Sequence, residues 1–162
     1  MKLGLHVGIR RGPLAALRRA EDLGLEFPRL LPYRRLPARA RAEDGFRWEA
    51  PDPAEAAAFR ARRAGGGVAR FAAHVRYLPF LASADDARRE ASIVLLAREL
   101  AFSTLLGADE LVLHLGAFSP GSSAAQGMRR FAEGAAEALR RAGSAPPLAV
   151  ENVPGGGRRM GG

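Results

Sequence analysis

Short apolar segments alternate with longer amphipathic segments along the whole chain, and this alternation restricts the fold more than any other feature. We interpret the apolar segments as strands over residues 2–7, 25–31, 68–74, 110–115 and 147–151. The amphipathic segments predict helices over residues 13–22, 53–63 and 126–141, with a further helix that begins at Ser83 and ends at Gly107. Four strand–helix units followed by a fifth strand predict a parallel α/β sheet with right-handed crossovers.

Two architectures fit this order of elements, an open doubly wound sheet and part of a (β/α)8 barrel. A complete barrel takes about 250 residues, whereas this chain has 162. If the fold is a barrel, residues 1–162 therefore form a partial TIM-barrel domain, truncated to about (β/α)4-β5. Five strands leave two open edges on such a sheet, and we expect its inward face to be apolar and partly uncovered.

The composition limits the kinds of protein and of site to consider. With 48% hydrophobic and 26% charged residues, the chain resembles an ordinary globular domain. No apolar run approaches the roughly 18 residues that a membrane-spanning helix needs, so we expect no membrane association. The sequence has no cysteine, so any metal would be bound by His, Asp or Glu, and a reducing cytoplasm is the expected compartment.

The positive charge is concentrated in the first part of the chain. The formal net charge is +8, and the first 63 residues carry 14 basic and 8 acidic side chains. Residues 32–51 form an Arg- and Pro-rich connection whose length is typical of a functional or disordered segment. The charge predicts a polyanionic partner, because arginine pairs bidentately with phosphate. A coding bias towards alanine and arginine explains the charge equally well.

All three histidines of the chain lie at the ends of predicted strands. They are His6, His74 and His114, and the fifth strand ends in Glu151 and Asn152. The carboxyl ends of parallel strands gather the functional side chains of such folds, and His and Glu are ligands of Zn²⁺. The sequence therefore predicts a metal site, although a single strand-end histidine is more often an ordinary core or rim residue. Neither a Gly-x-Ser-x-Gly elbow nor a P-loop lysine indicates a different chemistry.

Five short motifs, in this order, resemble those of the endonuclease IV family, the zinc-dependent apurinic/apyrimidinic endonucleases of the xylose-isomerase-like barrels. They are Gly-Leu-His-Val at 4–7, Arg-Trp-Glu-Ala-Pro at 47–51, His-Val-Arg-Tyr-Leu at 74–78, Leu-Val-Leu-His at 111–114 and Val-Glu-Asn-Val-Pro-Gly-Gly-Gly at 150–157. The similarity extends over essentially the whole chain. It implies a (β/α)8 TIM barrel, of which the chain contains the first five strands.

The resemblance also implies roles for the strand-end residues. His74, His114 and Glu151 would be ligands of one zinc ion, with manganese as a second candidate metal. Glu151 would bridge to a further ion and would thereby take part in catalysis, while His6 and Asn152 would lie near the site. Clustered divalent metals of this kind activate water and stabilise the phosphoryl oxygens during phosphodiester hydrolysis.

DNA that contains abasic sites is the partner that the resemblance implies. Arg34, Arg35 and Arg47 of the long connection would contact the phosphate backbone. Trp48 or Tyr77 would occupy the space left by a missing base.

Three hypotheses follow from these observations. The first is an endonuclease-IV-like enzyme of base excision repair, inactive if the chain is a fragment that lacks the later strands. The second is a sugar phosphate isomerase or epimerase of the same barrel superfamily, whose strand ends also offer His and Glu to a metal. The third is a non-catalytic protein that binds DNA only through its charge. The motifs and the clustered arginines favour the first.

Overall fold

Strands and helices alternate along the chain. A computed structural model describes residues 4–32, 34–35, 48–75, 80–152 and 156–160. In chain order the elements are β1 (His6–Val7), α1 (Pro13–Asp22), β2 (Arg29–Leu30), β3 (Arg34–Arg35), β4 (Trp48–Glu49), α2 (Pro53–Gly65), β5 (Ala72–His74), α3 (Asp86–Leu106), β6 (Glu110–His114), α4 (Ala124–Ala142) and β7 (Leu148–Glu151).

Five of the strands form a parallel sheet in the order β1-β2-β5-β6-β7. Each successive pair of these strands is connected through a helix, as the sequence predicts. The spatial order of the strands follows their order in the chain. A (β/α)8 barrel has this property, whereas a doubly wound sheet reverses its strand order at a switch point. The described sheet is therefore of the barrel type.

The second strand is shorter than the predicted range of 25–31. The backbone N–H of Leu25 still donates to the carbonyl of Ala20, 2.9 Å away, so that Leu25 completes the end of α1. Pro28 has no N–H to donate to a neighbouring strand. Regular pairing consequently begins at Arg29, which is the first residue after these constraints.

The connection predicted over residues 32–51 contains a small sheet of its own. Strands β3 and β4 pair antiparallel, with Arg34 opposite Glu49 and Arg35 opposite Trp48. The sequence analysis predicts neither of these two-residue strands, because segments so short carry no recognisable strand pattern.

Helix α1 has the predicted bounds, but α3 begins later than predicted. The side chain of Asp85 accepts a hydrogen bond of 2.9 Å from the N–H of Arg88 and therefore caps the helix. Ser83 instead accepts from the N–H of Asp85, at 3.1 Å, and stabilises the preceding turn. Serine and aspartate are equally good caps, and the packing of the helix decides between them. Among the described residues, no helix is long and apolar enough to span a membrane.

The core lies between the sheet and the helices. Alternate residues of β6, Leu111 and Leu113, are completely buried and belong to a hydrophobic core to which α1, α2, α3 and α4 all contribute side chains. Helix α4 contributes Phe131 and, through the small residue Gly134, approaches α3 closely. We expect from helical spacing that Met128 also faces inward, but its side chain is 43% exposed. That interpretation is wrong, because the inward stripe of α4 begins one residue earlier, at Gly127.

Residues 156–160, which follow β7, pack against the loop that comes after β6. Met160 is 3% exposed, and its N–H donates to the carbonyl of Gly116 at 2.9 Å. Arg159 forms an isolated antiparallel bridge with Ala117. The segment thereby covers the loop that follows β6.

The face of the sheet that is turned away from the helices carries charged residues among the apolar ones. An open cavity of about 390 Å³ over this face is lined by residues that include Arg29, Arg70, Ala72, Glu110 and Val112. The guanidinium of Arg70 lies 3.3 Å from the carboxylate of Glu110. Leu5, Phe27 and Val112 line the same cavity, so this face combines the expected apolar positions with charges that pair with one another.

Candidate metal centre

Three potential ligands lie at the carboxyl ends of three adjacent strands. His74, His114 and Glu151 are the last residues of β5, β6 and β7. His114 and Glu151 are partners in the strand register, and His74 is paired with the residue two positions before His114. One potential ligand atom from each side chain lies within 4.8 Å of those of the other two. The sequence predicts this convergence at the strand ends.

The donor atoms fit a divalent metal ion. Nε2 of His74 and Nδ1 of His114 are buried, and no residue that the structure describes forms a hydrogen bond with either. A buried polar atom without a partner is costly, so two of them side by side indicate a missing ligand. In a tetrahedral zinc site with bonds of about 2.1 Å, neighbouring ligand atoms lie roughly 3.4 Å apart. Nε2 of His74 and Oε2 of Glu151 are already 3.5 Å apart.

Arg29 is a member of this site that the sequence analysis missed. Its Nη1 donates a hydrogen bond of 2.8 Å to Oε2 of Glu151. Arg29 belongs to β2 and is paired in register with Ala72, two residues before His74. One signal in the sequence pointed to it, namely an arginine close to the end of a mostly apolar predicted strand. Its contact with Glu151 depends on the curvature of the sheet, which the sequence pattern does not reveal.

The charges in the site set the protonation of the potential ligands. Burial lowers the pKa of His74 below the ordinary value of 6.5, and the charge of Arg29 lowers it further, against a hydrogen bond with Val75 and the charge of Glu151. Burial would raise the pKa of Glu151, but Arg29 and the two histidines together lower it below its ordinary value. At neutral pH His74 is therefore neutral and Glu151 is ionised, as metal binding requires.

His6 lies next to the three potential ligands without joining them. Its ring centroid is 5.9 Å from that of His74, whereas the rings of His74 and His114 are 5.1 Å apart. Burial and the charge of Arg29 lower the pKa of His6. Asn152, which directly follows β7, is exposed. The structure thus places His6 beside the three potential ligands, while the proximity of the Asn152 side chain stays a prediction.

The structure describes no side chain among the five residues that are predicted to contact DNA. Tyr77 and Arg47 are outside the described residues. Arg34, Arg35 and Trp48 are described through their backbone alone, in the small antiparallel sheet. Their contact with DNA stays a prediction.

The comparisons with known proteins agree with this architecture. Residues 16–162 match the family model described as xylose isomerase-like TIM barrel. The chain is 35% identical to endonuclease 4 of Thermus thermophilus over 164 residues, which cover 99% of this chain and 54% of that protein. It is 34% identical to a probable endonuclease 4 of Nitratidesulfovibrio vulgaris, covering 98% of this chain and 53% of that protein. The chain thus spans about half the length of the curated relatives it matches.

Solved structures show the same similarity. A crystal structure of endonuclease IV from Thermus thermophilus superposes with a TM-score of 0.78 at 34% identity, covering 99% of this chain and 55% of that one. A D-tagatose 3-epimerase-like protein superposes with a TM-score of 0.63 at 14% identity, which shows the shared fold alone. The resemblance to the endonuclease IV family, which the motifs predict, is confirmed by these similarities.

Proposed function

From the premise that this chain belongs to the xylose isomerase-like TIM barrel family, we propose that it binds a catalytic metal for the hydrolysis of phosphodiester bonds at abasic sites in DNA. The convergence of His74, His114 and Glu151 at the ends of adjacent strands carries this proposal. The similarity to proteins named endonuclease 4, which extends over 98–99% of the chain, supports the choice of substrate.

The three residues supply the donor set of a zinc site, with manganese as the second candidate. His74 and His114 each offer a buried ring nitrogen, and Glu151 offers an ionised carboxylate. A divalent ion bound there would act as a Lewis acid and would lower the pKa of water to about 7. In this proposal Glu151 is the catalytic residue, since a carboxylate with two oxygens is able to bridge to a second ion.

The basic residues supply the affinity for DNA. The net charge of +8 favours a polyanion. We assign contacts with the DNA backbone to Arg34, Arg35 and Arg47, and the space of the missing base to Trp48 or Tyr77. Such contacts are independent of the base sequence, so that selectivity for abasic sites would come from the easier deformation of damaged DNA.

A sugar epimerase is the second function that this barrel supports in other proteins. The structures of a D-psicose 3-epimerase and of a D-tagatose 3-epimerase-like protein superpose on the chain, but at 18% and 14% identity. Likeness at this level concerns the fold, whereas the relatives at 29–35% identity are named endonuclease 4 or probable endonuclease 4. The observations therefore favour DNA.

A chimaera tests the proposal directly. The chain would replace the matching half of Thermus thermophilus endonuclease 4, and the product would be incubated with a labelled duplex containing one abasic site. We expect metal-dependent incision by the chimaera and none by the same protein with Glu151→Gln. A folded, metal-loaded chimaera that incises no abasic duplex would contradict the proposal. If this protein interconverted a ketose and its epimer instead, the epimerase hypothesis would replace it.

A further inference from the structure

One oxygen of Glu151 lies close to both a positively charged side chain and a potential metal ligand. Oε2 accepts the hydrogen bond from Nη1 of Arg29, at 2.8 Å, and the same oxygen lies 3.5 Å from Nε2 of His74. Oε2 is therefore the oxygen nearest to the buried nitrogen of His74, and it is also the oxygen that Arg29 binds. A cation bound between His74, His114 and Glu151 would meet the guanidinium at this atom.

The positive charges of Arg29 and of a bound metal ion would repel each other at this distance. A guanidinium stays protonated in proteins, so that Arg29 keeps its positive charge. Like charges a few ångströms apart repel each other strongly in a partly buried site, where water screens them less than in bulk solvent. Glu151 would therefore bind a metal ion more weakly while Arg29 stays in place, unless Arg29 moves away.

The surroundings of Arg29 allow this movement. Its side chain is 36% exposed and lines the open cavity of about 390 Å³ on the inward face of the sheet. Glu110 lines the same cavity, and both residues are paired in register with Ala72. Arg29 and Glu110 therefore lie at the same level of the sheet, two strand spacings or about 10 Å apart. Glu110 offers a second carboxylate within reach of the long arginine side chain.

We propose that Arg29 is an internal competitor of the metal, which holds Glu151 in the metal-free chain and turns towards Glu110 when the ion binds. The inference rests on the proposed metal site and adds a residue that sets its affinity. Arg29 is a positioning residue in this scheme. It orients the ionised carboxylate of Glu151 and balances its charge in the metal-free chain. It also lowers the affinity of the site for a metal ion below that of the three ligands without Arg29.

Zinc affinity measured against a chromophoric chelator tests the competition. We expect Arg29→Met in the 162-residue chain to lower the Kd for zinc about tenfold, which corresponds to about 1.4 kcal/mol. Arg10→Met is the matched control, because Arg10 is exposed in the loop that follows β1, at the same edge of the sheet as the site. It removes the same charge without freeing Glu151 or changing the partners of Glu110, so its Kd should stay close to that of the unchanged chain. The absorption spectrum of bound Co²⁺ should show the same order of affinities.

Three results would overturn the inference. If Arg29→Met bound zinc no more tightly than the unchanged chain, Arg29 would not compete, although the metal site itself would stand. An equal gain from Arg10→Met would show a general effect of charge. Uptake of zinc by neither the unchanged chain nor Arg29→Met would contradict both the metal site and the competition. Arg29→Gln, which keeps a hydrogen-bond donor, provides the same comparison if the methionine variant does not fold.

Discussion

The guanidinium of Arg29 lies 2.8 Å from the carboxylate of Glu151, although the two residues are 122 positions apart in the chain. Strands β5 and β6 separate their strands, and the register places Glu151 four residues further along the strand direction. On a flat sheet their Cα atoms would be roughly 19 Å apart, which is further than the two side chains span. Their contact therefore requires that the sheet curve towards its inward face, as in a barrel.

The stability of the metal-free chain should decrease in mildly acidic solution. The folded state lowers the pKa of His74 below the ordinary 6.5, because the ring is buried and lies near Arg29 and His114, against a backbone hydrogen bond with Val75 and the charge of Glu151. The unfolded chain then binds more protons below pH 6.5, so stability is present above this pH and is lost as the pH falls through the folded pKa. Thermal unfolding between about pH 7.5 and 5.5 measures this dependence.

A variant without the titrating ring provides the control for this pH dependence. His74→Asn should melt with a flatter dependence on pH over this range than the unchanged chain. An equally steep loss of stability in both proteins would show that another group titrates there.

An ion pair between α2 and the residue before β6 should contribute measurably to stability. Asp109 accepts hydrogen bonds from Arg63 and from the N–H of Phe71, and Arg63 also donates to the carbonyl of Gly107. Asp109→Ala would leave a partly buried guanidinium and a backbone N–H without their acceptor. We expect a loss of about 1–3 kcal/mol in the free energy of unfolding by urea. Glu133→Ala, which removes a more exposed partner of Arg89, should cost less than about 1 kcal/mol.

The start of α4 has no room for a methyl group at Gly127. A Cβ atom there would lie 2.5 Å from Cβ of Phe118 and 3.0 Å from Sδ of Met160. Alanine favours a helix by up to about 1 kcal/mol over glycine, but overpacking costs typically about 1–3 kcal/mol. We therefore expect Gly127→Ala to destabilise the chain in urea unfolding. A Cβ at Gly65 in α2 would have no atom within 4 Å, so Gly65→Ala should be neutral or stabilising.

The role of a residue could be predicted from the sequence where that role depends on its position within its own strand. His74, His114 and Glu151 each end an apolar run, and the rule that parallel strands share their carboxyl edge sufficed to bring them together. Arg29 was missed because its partner lies across a curved sheet. Met128 was assigned to the buried face of α4 because helical spacing fixes that face only to within one residue. In the structure Gly127 faces inward instead, against Phe118.

DNA binding should depend on the arginines of the connection between β2 and α2. Replacing Arg34, Arg35 and Arg47 together by glutamine should weaken binding to an abasic duplex. The slope of log K against log salt should decrease by about 0.9 for each phosphate contact that is lost. Fluorescence anisotropy between about 50 and 200 mM salt, a range over which such contacts change the affinity strongly, measures this slope.

The matched control for DNA binding removes three arginines from helices. They are Arg18, Arg129 and Arg140. An equal loss of affinity and of slope in this control would show that DNA responds to net charge alone and would contradict the assigned contacts.

The central claim is that His74, His114 and Glu151 together bind one metal ion, and the zinc content of the purified chain at neutral pH tests it most directly. We predict one tightly bound zinc per chain, measured by elemental analysis after dialysis against metal-free buffer. Glu151→Gln should lose this zinc, because an amide supplies neither the charge nor the ligand strength of a carboxylate. Glu133→Gln, which changes an exposed carboxylate of α4 outside the site, should keep it. Equal zinc in the chain and in Glu151→Gln, or none in the unchanged chain, would contradict the claim.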